Sequence, residues 1–314
     1  MYQLDVAPFG NLEKLTFYNP NSGNRFSILP DFGAVVSELV FRGTPVLDGY
    51  ATPDHLEDAK WKKSGILFPF PNRLKDGKYE WQGKTYQFPI NDPDTHSALH
   101  GLSREQAMTV EAICTEEHLA SVTCRYLEKG TSAAYPFPFT LSVTYQIEEP
   151  ANFTLEMRFR NDGDTPIPVG FGWHPYFQLS EKTDDLQLQL PLCKWVEFDE
   201  RKLPTGKREP YLEFSNLTPI GDSSLDNCFA VNTDTKDQPN KIFVTLQGEC
   251  GTLRYWQETG PGKFNFLQIF IPEHRTSIGI EPMTCVTDGF NSGEGLIVSA
   301  PQQVAHARAG VEWV

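Results

Sequence analysis

A strict alternation of apolar and polar residues in Phe139-Thr-Leu-Ser-Val-Thr-Tyr-Gln-Ile147 constrains this chain more than any other feature. Successive side chains of an extended segment point to opposite sides, so Phe139, Leu141, Val143, Tyr145 and Ile147 share one face. Phe153-Thr-Leu-Glu-Met-Arg-Phe159 repeats the period of two, and Glu148-Glu-Pro-Ala-Asn152 between them supplies turn chemistry. The two runs predict an antiparallel hairpin. A second hairpin is expected from 78–81 and 85–88, joined through Gln82-Gly83-Lys84. Further strand-like runs cover 25–29, 34–41, 119–127, 242–246, 264–271 and 277–280. Helix signals are scarce: 54–63, following Pro53, predicts one short helix, and no long segment carries apolar residues at helical spacing. Many short strands with frequent turns predict an all-β sandwich or barrel, read here as one large domain over 1–314.

Composition narrows the function classes. Apolar residues are 39 % of the 314, with 22 Phe, enough for a packed core. Lys and Arg number 27 against 41 Asp and Glu, a formal charge of −14. That balance disfavours nucleic acid, whose binding needs cations against phosphates, and disfavours anionic membrane surfaces. No run of 18 apolar residues predicts a membrane helix. The segment Met1-Tyr-Gln-Leu-Asp-Val-Ala-Pro-Phe-Gly10 lacks the basic start and apolar stretch of a secretory signal. The six cysteines are irregularly spaced and form no C-x-x-C, so free thiols in a reducing cytoplasm are expected. Monomer and homodimer both remain open.

Dinucleotide, P-loop, nucleophile-elbow and zincin signatures are missing. His96 and His100 have a spacing of four, which converges on a metal only in a helix, and the preceding Asn91-Asp-Pro-Asp-Thr95 reads as loop. No metal site is expected there. Two other positions stand out. In Val169-Gly-Phe-Gly-Trp-His-Pro-Tyr-Phe177 an extended chain puts His174 on the face of Gly170 and Gly172, with Phe171 and Trp173 pointing away. Pro175 biases His174 toward that extended geometry. In Ser277-Ile-Gly-Ile-Glu-Pro282, Glu281 lies beside Gly279, opposite Ile278 and Ile280. In both, glycines beside a polar side chain suggest open volume where a ligand can approach. An acid at the end of an apolar strand can have its pKa raised into the range of a general base. The bland alternatives are a hydrogen-bonded core histidine and an edge-strand charge. Arg73, in Phe68-Pro-Phe-Pro-Asn-Arg-Leu74, is either a structural ion pair or a fixed fork of donors for a ligand. Asp226 alone reads as a turn cap.

Taken in order, these segments resemble the aldose 1-epimerase (galactose mutarotase) family. The matches are Asn72-Arg73, then Asp76-Gly77-Lys-Tyr-Glu-Trp-Gln-Gly83-Lys-Thr-Tyr86, Asn91 and Leu99-His100-Gly101. They continue with His174-Pro-Tyr-Phe177 and Leu179, Leu225-Asp226, and Glu281-Pro282 with Asp288 and Asn291. The resemblance implies a large β-sandwich of galactose-mutarotase type, a cofactor-free site and a small sugar as substrate. It implies Glu281 as general base on the anomeric hydroxyl and His174 as the acid at the ring oxygen. Arg73, His100 and Asp226 match positions that bind and orient the sugar. After His100-Gly101 the chain departs from the family pattern with Leu102-Ser-Arg104 and with Pro175 after His174. The arginine is similar to that of the hexose-6-phosphate 1-epimerase branch, so Arg104 is a possible phosphate contact. No other basic residues cluster around it and Glu105 follows directly, which favours a free aldose. A non-catalytic carbohydrate-binding module on the same fold is a second class, because fold alone does not prescribe activity. A glycoside hydrolase would need a second carboxylate facing Glu281, whereas the matched partner is a histidine.

Overall fold

The computed structural model describes residues 1–57, 61–102, 106–231 and 241–314. Among them, the alternating runs assemble into three large sheets of five, nine and eight strands, with three two-stranded ribbons at their margins. The strand pairings are antiparallel, as hairpin connections require.

The alternating segment 139–147 becomes strand Pro138–Glu148, followed by Asn152–Asn161, in the middle of the nine-stranded sheet. Their register pairs Leu141 with Phe159 and Ile147 with Phe153, so both apolar sets face the same way. Phe139, Leu141, Val143, Tyr145 and Ile147 are buried, and the residues between them are half-buried. Leu119–Lys129 and the final strand Val304–Trp313 flank this pair.

The eight-stranded sheet lies against that apolar face. Trp173 contacts Phe153 across the gap with ring centroids 6.4 Å apart, and Phe68 contacts both Phe139 and Phe159. Phe26, from strand Arg25–Leu29 of the five-stranded sheet, meets Phe153 edge-on at 5.4 Å. One apolar cluster therefore draws on all three sheets, from Tyr2 to Val311. Aromatic pairs of this kind add roughly 0.5–1.5 kcal/mol each beyond their buried area.

The expected runs emerge with small shifts: Val35–Phe41, Leu119–Lys129, Lys241–Gly248, Phe266–Phe270 and Ile278–Met283. Two expectations need correction. The second hairpin pairs Lys78–Trp81 with Lys84–Gln87, so its turn is two residues, not three. Gln82 and Gly83 both take positive φ (51° and 75°), the conformation that a two-residue turn between twisted strands demands. The expected helix over 54–63 is only Asp54–Glu57. Residues 58–60 lie outside the described residues, and Lys62–Ser64 are not helical. Lys62 and Ser64 adopt left-handed backbone (φ 50° and 54°), which ends any helix there.

Among the described residues no helix is long and apolar enough to cross a membrane. All six cysteines are free thiols.

Candidate active site

Strand Ile278–Met283 is central to the eight-stranded sheet, between Phe266–Phe270 on one side and Gly172–His174 on the other. It is buried on both faces. Ile278 and Ile280 enter the core, so Glu281 stands on the opposite face. Trp173 and His174 divide in the same way: Trp173 is fully buried in the core and His174 faces away from it. The two polar side chains expected from separate segments therefore meet. His174 Nε2 is 3.3 Å from Glu281 Oε2, and both residues are buried.

Burial raises the Glu281 carboxyl well above the ordinary carboxylate range; the negative charge of Asp226 pushes it further and Arg73 opposes. A carboxyl held in this way is a stronger base than one in water.

Above this pair lies a cleft open to solvent at its mouth. Arg73, His100, His174, Asp226 and Glu281 all line it. Five residues spread over more than 200 positions of sequence thus share one cleft, and the sheet register explains how His174, Asp226 and Glu281 come to share one wall of it. Gln268 lies opposite Glu281 on the neighbouring strand, and its Nε2 donates to Asp226 Oδ1 at 2.9 Å on the strand beyond. Asp226 also forms an ion pair with Lys202, whose Nζ lies 3.2 Å from its Oδ2, so it is a partner in a polar row, more than a turn cap.

The other wall is a pair of loops locked together. Asn72 and His100 both hold left-handed backbone (φ 58° and 66°) and bond reciprocally. His100 N–H donates to Asn72 O at 2.9 Å, and Asn72 N–H donates to His100 Nδ1 at 3.2 Å. Since Nδ1 accepts, the neutral ring carries its proton on Nε2. Gly101 follows with φ 67°, and a Cβ there would sit 2.0 Å from Phe68 O. Only glycine lets the His100 loop lie this close to the Phe68 backbone, where Leu102 N–H donates to Phe68 O at 2.6 Å. Arg73 makes the structural ion pair, its Nε donating to Asp92 Oδ2 at 2.7 Å, and its side chain also lines the cleft.

The glycines near His174 and Glu281 do not have the meaning first read into them. A Cβ on Gly170 would lie 2.4 Å from Cys285 Sγ, and one on Gly172 would lie 2.7 Å from Pro282 O. The space beside Gly279 is taken by the Glu281 carboxylate and the Tyr176 ring. These glycines allow protein to pack closely; the cleft opens elsewhere. His96 is exposed and bonds Asp76, whereas His100 is buried on the cleft wall. Arg104, the possible phosphate contact, lies outside the described residues.

Sequence reasoning missed several cleft residues. Gln268 sits within Phe264-Asn-Phe-Leu-Gln-Ile-Phe270, and a polar residue inside a buried apolar run was the available signal. Its Oε1 and the Tyr176 hydroxyl are buried without a hydrogen-bond partner among the described residues. Burial raises the Tyr176 phenol well above its usual value, with the Glu281 charge adding, so the hydroxyl stays a donor. Trp61 and Phe270 supply an apolar patch, with ring centroids 5.7 Å apart. Trp61 and Lys62, in the segment read as helix, left no signal of their own.

The sequence profile of the aldose 1-epimerase family matches residues 16–310. Over 286 residues the chain is 27 % identical to uncharacterized protein YihR of Escherichia coli K12, covering 88 % of this chain and 86 % of that protein. A galactose mutarotase-like protein from Clostridium acetobutylicum superposes with TM-score 0.85 at 19 % identity, covering 100 % of this chain and 98 % of that one. Galactose 1-epimerase from Lactobacillus acidophilus superposes with TM-score 0.82 at 16 % identity, with the same coverage. At such identities the superpositions establish a shared galactose-mutarotase-type fold, and the profile match establishes descent: this chain belongs to the aldose 1-epimerase family.

Proposed function

We propose that this protein is a mutarotase that interconverts the α and β anomers of an aldose such as glucose or galactose. The observation that carries this reading is the buried Glu281–His174 pair, 3.3 Å apart at the base of an open cleft.

Ring opening of a hemiacetal requires a base at the anomeric hydroxyl and an acid at the ring oxygen, two oxygens on one carbon. A carboxylate and an imidazolium in contact suit that pair of targets. The reaction starts with the proton on His174. The anomeric hydroxyl passes its proton to Glu281, the C1–O5 bond breaks, and the ring oxygen takes the proton from His174. The free aldehyde end rotates, and closure on the other face returns both protons. Each well-placed group contributes about 10²–10⁴-fold.

Around the reacting carbon, Arg73, His100, Gln268, Asp226 and the Tyr176 hydroxyl hold sugar hydroxyls, and Trp61 and Phe270 meet the apolar ring face. Arg73 is paired with Asp92 and Lys202 with Asp226, an arrangement that favours an uncharged aldose over a sugar phosphate. Lys62 also lines the cleft, so hexose 6-phosphates are the informative comparison. The free thiols fit a reducing cytoplasm.

Saturation-transfer NMR on free aldoses and their 6-phosphates tests the reading. Wild type is expected to speed anomer exchange and Glu281→Gln to lose about 10²–10⁴-fold of that acceleration. Exchange no faster than buffer across the whole panel would sink it. Sugar binding without exchange would identify a non-catalytic module.

A further inference from the structure

Asp226 is held from two sides, by Gln268 Nε2 at 2.9 Å and by Lys202 Nζ at 3.2 Å. The second contact comes from an elaborately fixed turn between strands Cys193–Phe198 and Pro204–Tyr211. Asp199 Oδ1 accepts from the N–H groups of Arg201 (2.8 Å) and Leu203 (2.9 Å), and Lys202 N–H donates to Asp199 O at 3.0 Å. Lys202 itself takes left-handed backbone, φ 58°, which a lysine adopts at a cost. Arg201 then ties the turn across to the loops ahead of His100, donating to Asp76 Oδ1 (2.7 Å), Thr95 O (3.0 Å) and His96 O (3.1 Å).

Stability does not account for this construction. Lys202 and Asp226 are each well exposed, with side-chain exposures of 43 % and 38 %, and ion pairs in that setting contribute little to folding. What the turn achieves is to set an ammonium against a carboxylate that lines the cleft.

We propose that Lys202 and Asp226 form a hydroxyl clamp at the rim of the cleft, with Lys202 a specificity-determining residue for the sugar. The inference rests on the reading of the cleft as a sugar site. An ammonium has three donors, and a carboxylate has acceptor sites beyond the one that Gln268 occupies. Together they present donor and acceptor side by side with no net charge. A hydroxyl, which both donates and accepts, matches that combination. An anionic substituent would meet the Asp226 charge, and a bare methylene would leave both groups unanswered. The clamped hydroxyl is one of the non-anomeric ones, since the anomeric hydroxyl belongs to Glu281.

The test is equilibrium binding, by calorimetry or NMR titration at anomeric equilibrium, so that catalysis does not enter. The full-length chain and Lys202→Met, which keeps the length of the stem, are titrated with D-glucose, D-galactose and their 2-, 3-, 4- and 6-deoxy analogues. Wild type is expected to disfavour one deoxy analogue by about tenfold, the scale of a charge-assisted hydrogen bond. In Lys202→Met the parent sugar weakens by a similar factor while that analogue barely changes, so the preference collapses. Lys202→Arg, which keeps the charge, retains part of the preference. A Lys202 that only braces the turn would weaken parent and analogues alike, and that result overturns the clamp. Unchanged affinity for every sugar overturns it too, as does failure of all these sugars to bind. If the preference collapses but wild type does not speed anomer exchange, the clamp stands and the mutarotase reading falls.

Discussion

The nine-stranded and eight-stranded sheets use the same extended backbone for opposite purposes. In the first, strand Pro138–Glu148 alternates half-buried and buried residues without a break, and its polar side chains reach water. In the second, strand Ile278–Met283 is buried at every position, yet it carries Glu281. A sheet wetted on one face keeps its polar groups at little cost. A sheet covered on both faces must pair them or leave them strained, because burying an unpaired polar group costs several kcal/mol on most scales. Groups kept there in spite of the cost, such as Glu281, Gln268 and the Tyr176 hydroxyl, all belong to residues lining the one cleft.

The contrast breaks most sharply at Glu281. Glu281→Gln is expected to lower anomer exchange by about 10²–10⁴-fold while raising the melting temperature. The folded carboxyl binds its proton more tightly than the unfolded one, so wild-type stability falls as pH rises from about 4.3 toward the raised value. The glutamine variant removes that loss, and its advantage should be larger at pH 8 than at pH 4.5 by calorimetry. The same raised value predicts that exchange by the wild type declines as pH falls through it, at higher pH than an ordinary carboxylate would give. A glutamine variant no more stable than wild type at pH 8 would remove the case for strain at this position.

Leu155→Ala asks the opposite of the nine-stranded sheet. Leu155 is fully buried with its apolar neighbours, so truncation should cost about 2–5 kcal/mol by denaturant unfolding. Exchange per folded molecule should stay at the wild-type level, and a matching loss of rate would mean that the two sheets are not separable in this way. Gly101→Ala falls between them. The methyl group would collide with Phe68 O, so stability should drop by at least about 1 kcal/mol. Because His100 is the adjacent residue, kcat/KM should drop as well.

The same difference decided what could be read from the sequence. Four strands of the nine-stranded sheet, Leu119–Lys129, Pro138–Glu148, Asn152–Asn161 and Lys241–Gly248, were legible because their alternation is a direct record of one wet and one dry face. Thr109–Thr115, Gly251–Glu258, Val304–Trp313 and the two short strands Gln187–Gln189 and Thr218–Pro219 were not. The Phe139 and Phe153 runs became strands within two residues of their expected limits. The doubly buried sheet hides its pattern, since both faces call for apolar residues. Glu281 and His174 were visible only as exceptions to it, with Pro282 and Pro175 marking extended chain. Gln268 was equally exceptional and passed unnoticed inside an aromatic run. The glycines beside the two polar residues were misread because sequence does not say what fills the space above a missing Cβ; here Cys285, Pro282 and Tyr176 do. The Asn72–His100 lock depends on two left-handed non-glycine residues 28 positions apart, and no local pattern announces such a pair.

The smallest effects give the finest test, because one change of chemistry can be made on both sheets. Gln268→Leu removes a buried amide whose oxygen has no partner among the described residues and whose nitrogen holds Asp226. Stability should be unchanged or improved, since an unsatisfied group leaves the interior, while KM for the sugar rises about tenfold through the loss of hydrogen bonds. Thr144→Val makes the comparable swap on the nine-stranded sheet, where Thr144 Oγ1 lies 2.9 Å from Thr123 Oγ1 on the outer face. There the abandoned hydroxyl of Thr123 turns to water, and valine suits a strand at least as well as threonine. Unfolding free energy should move by no more than about 0.5 kcal/mol and KM not at all. A larger change would show that the outer face of the nine-stranded sheet is not the plain solvated surface its alternation indicates. Polar groups on the two sheets would then have to be weighed by the same rule.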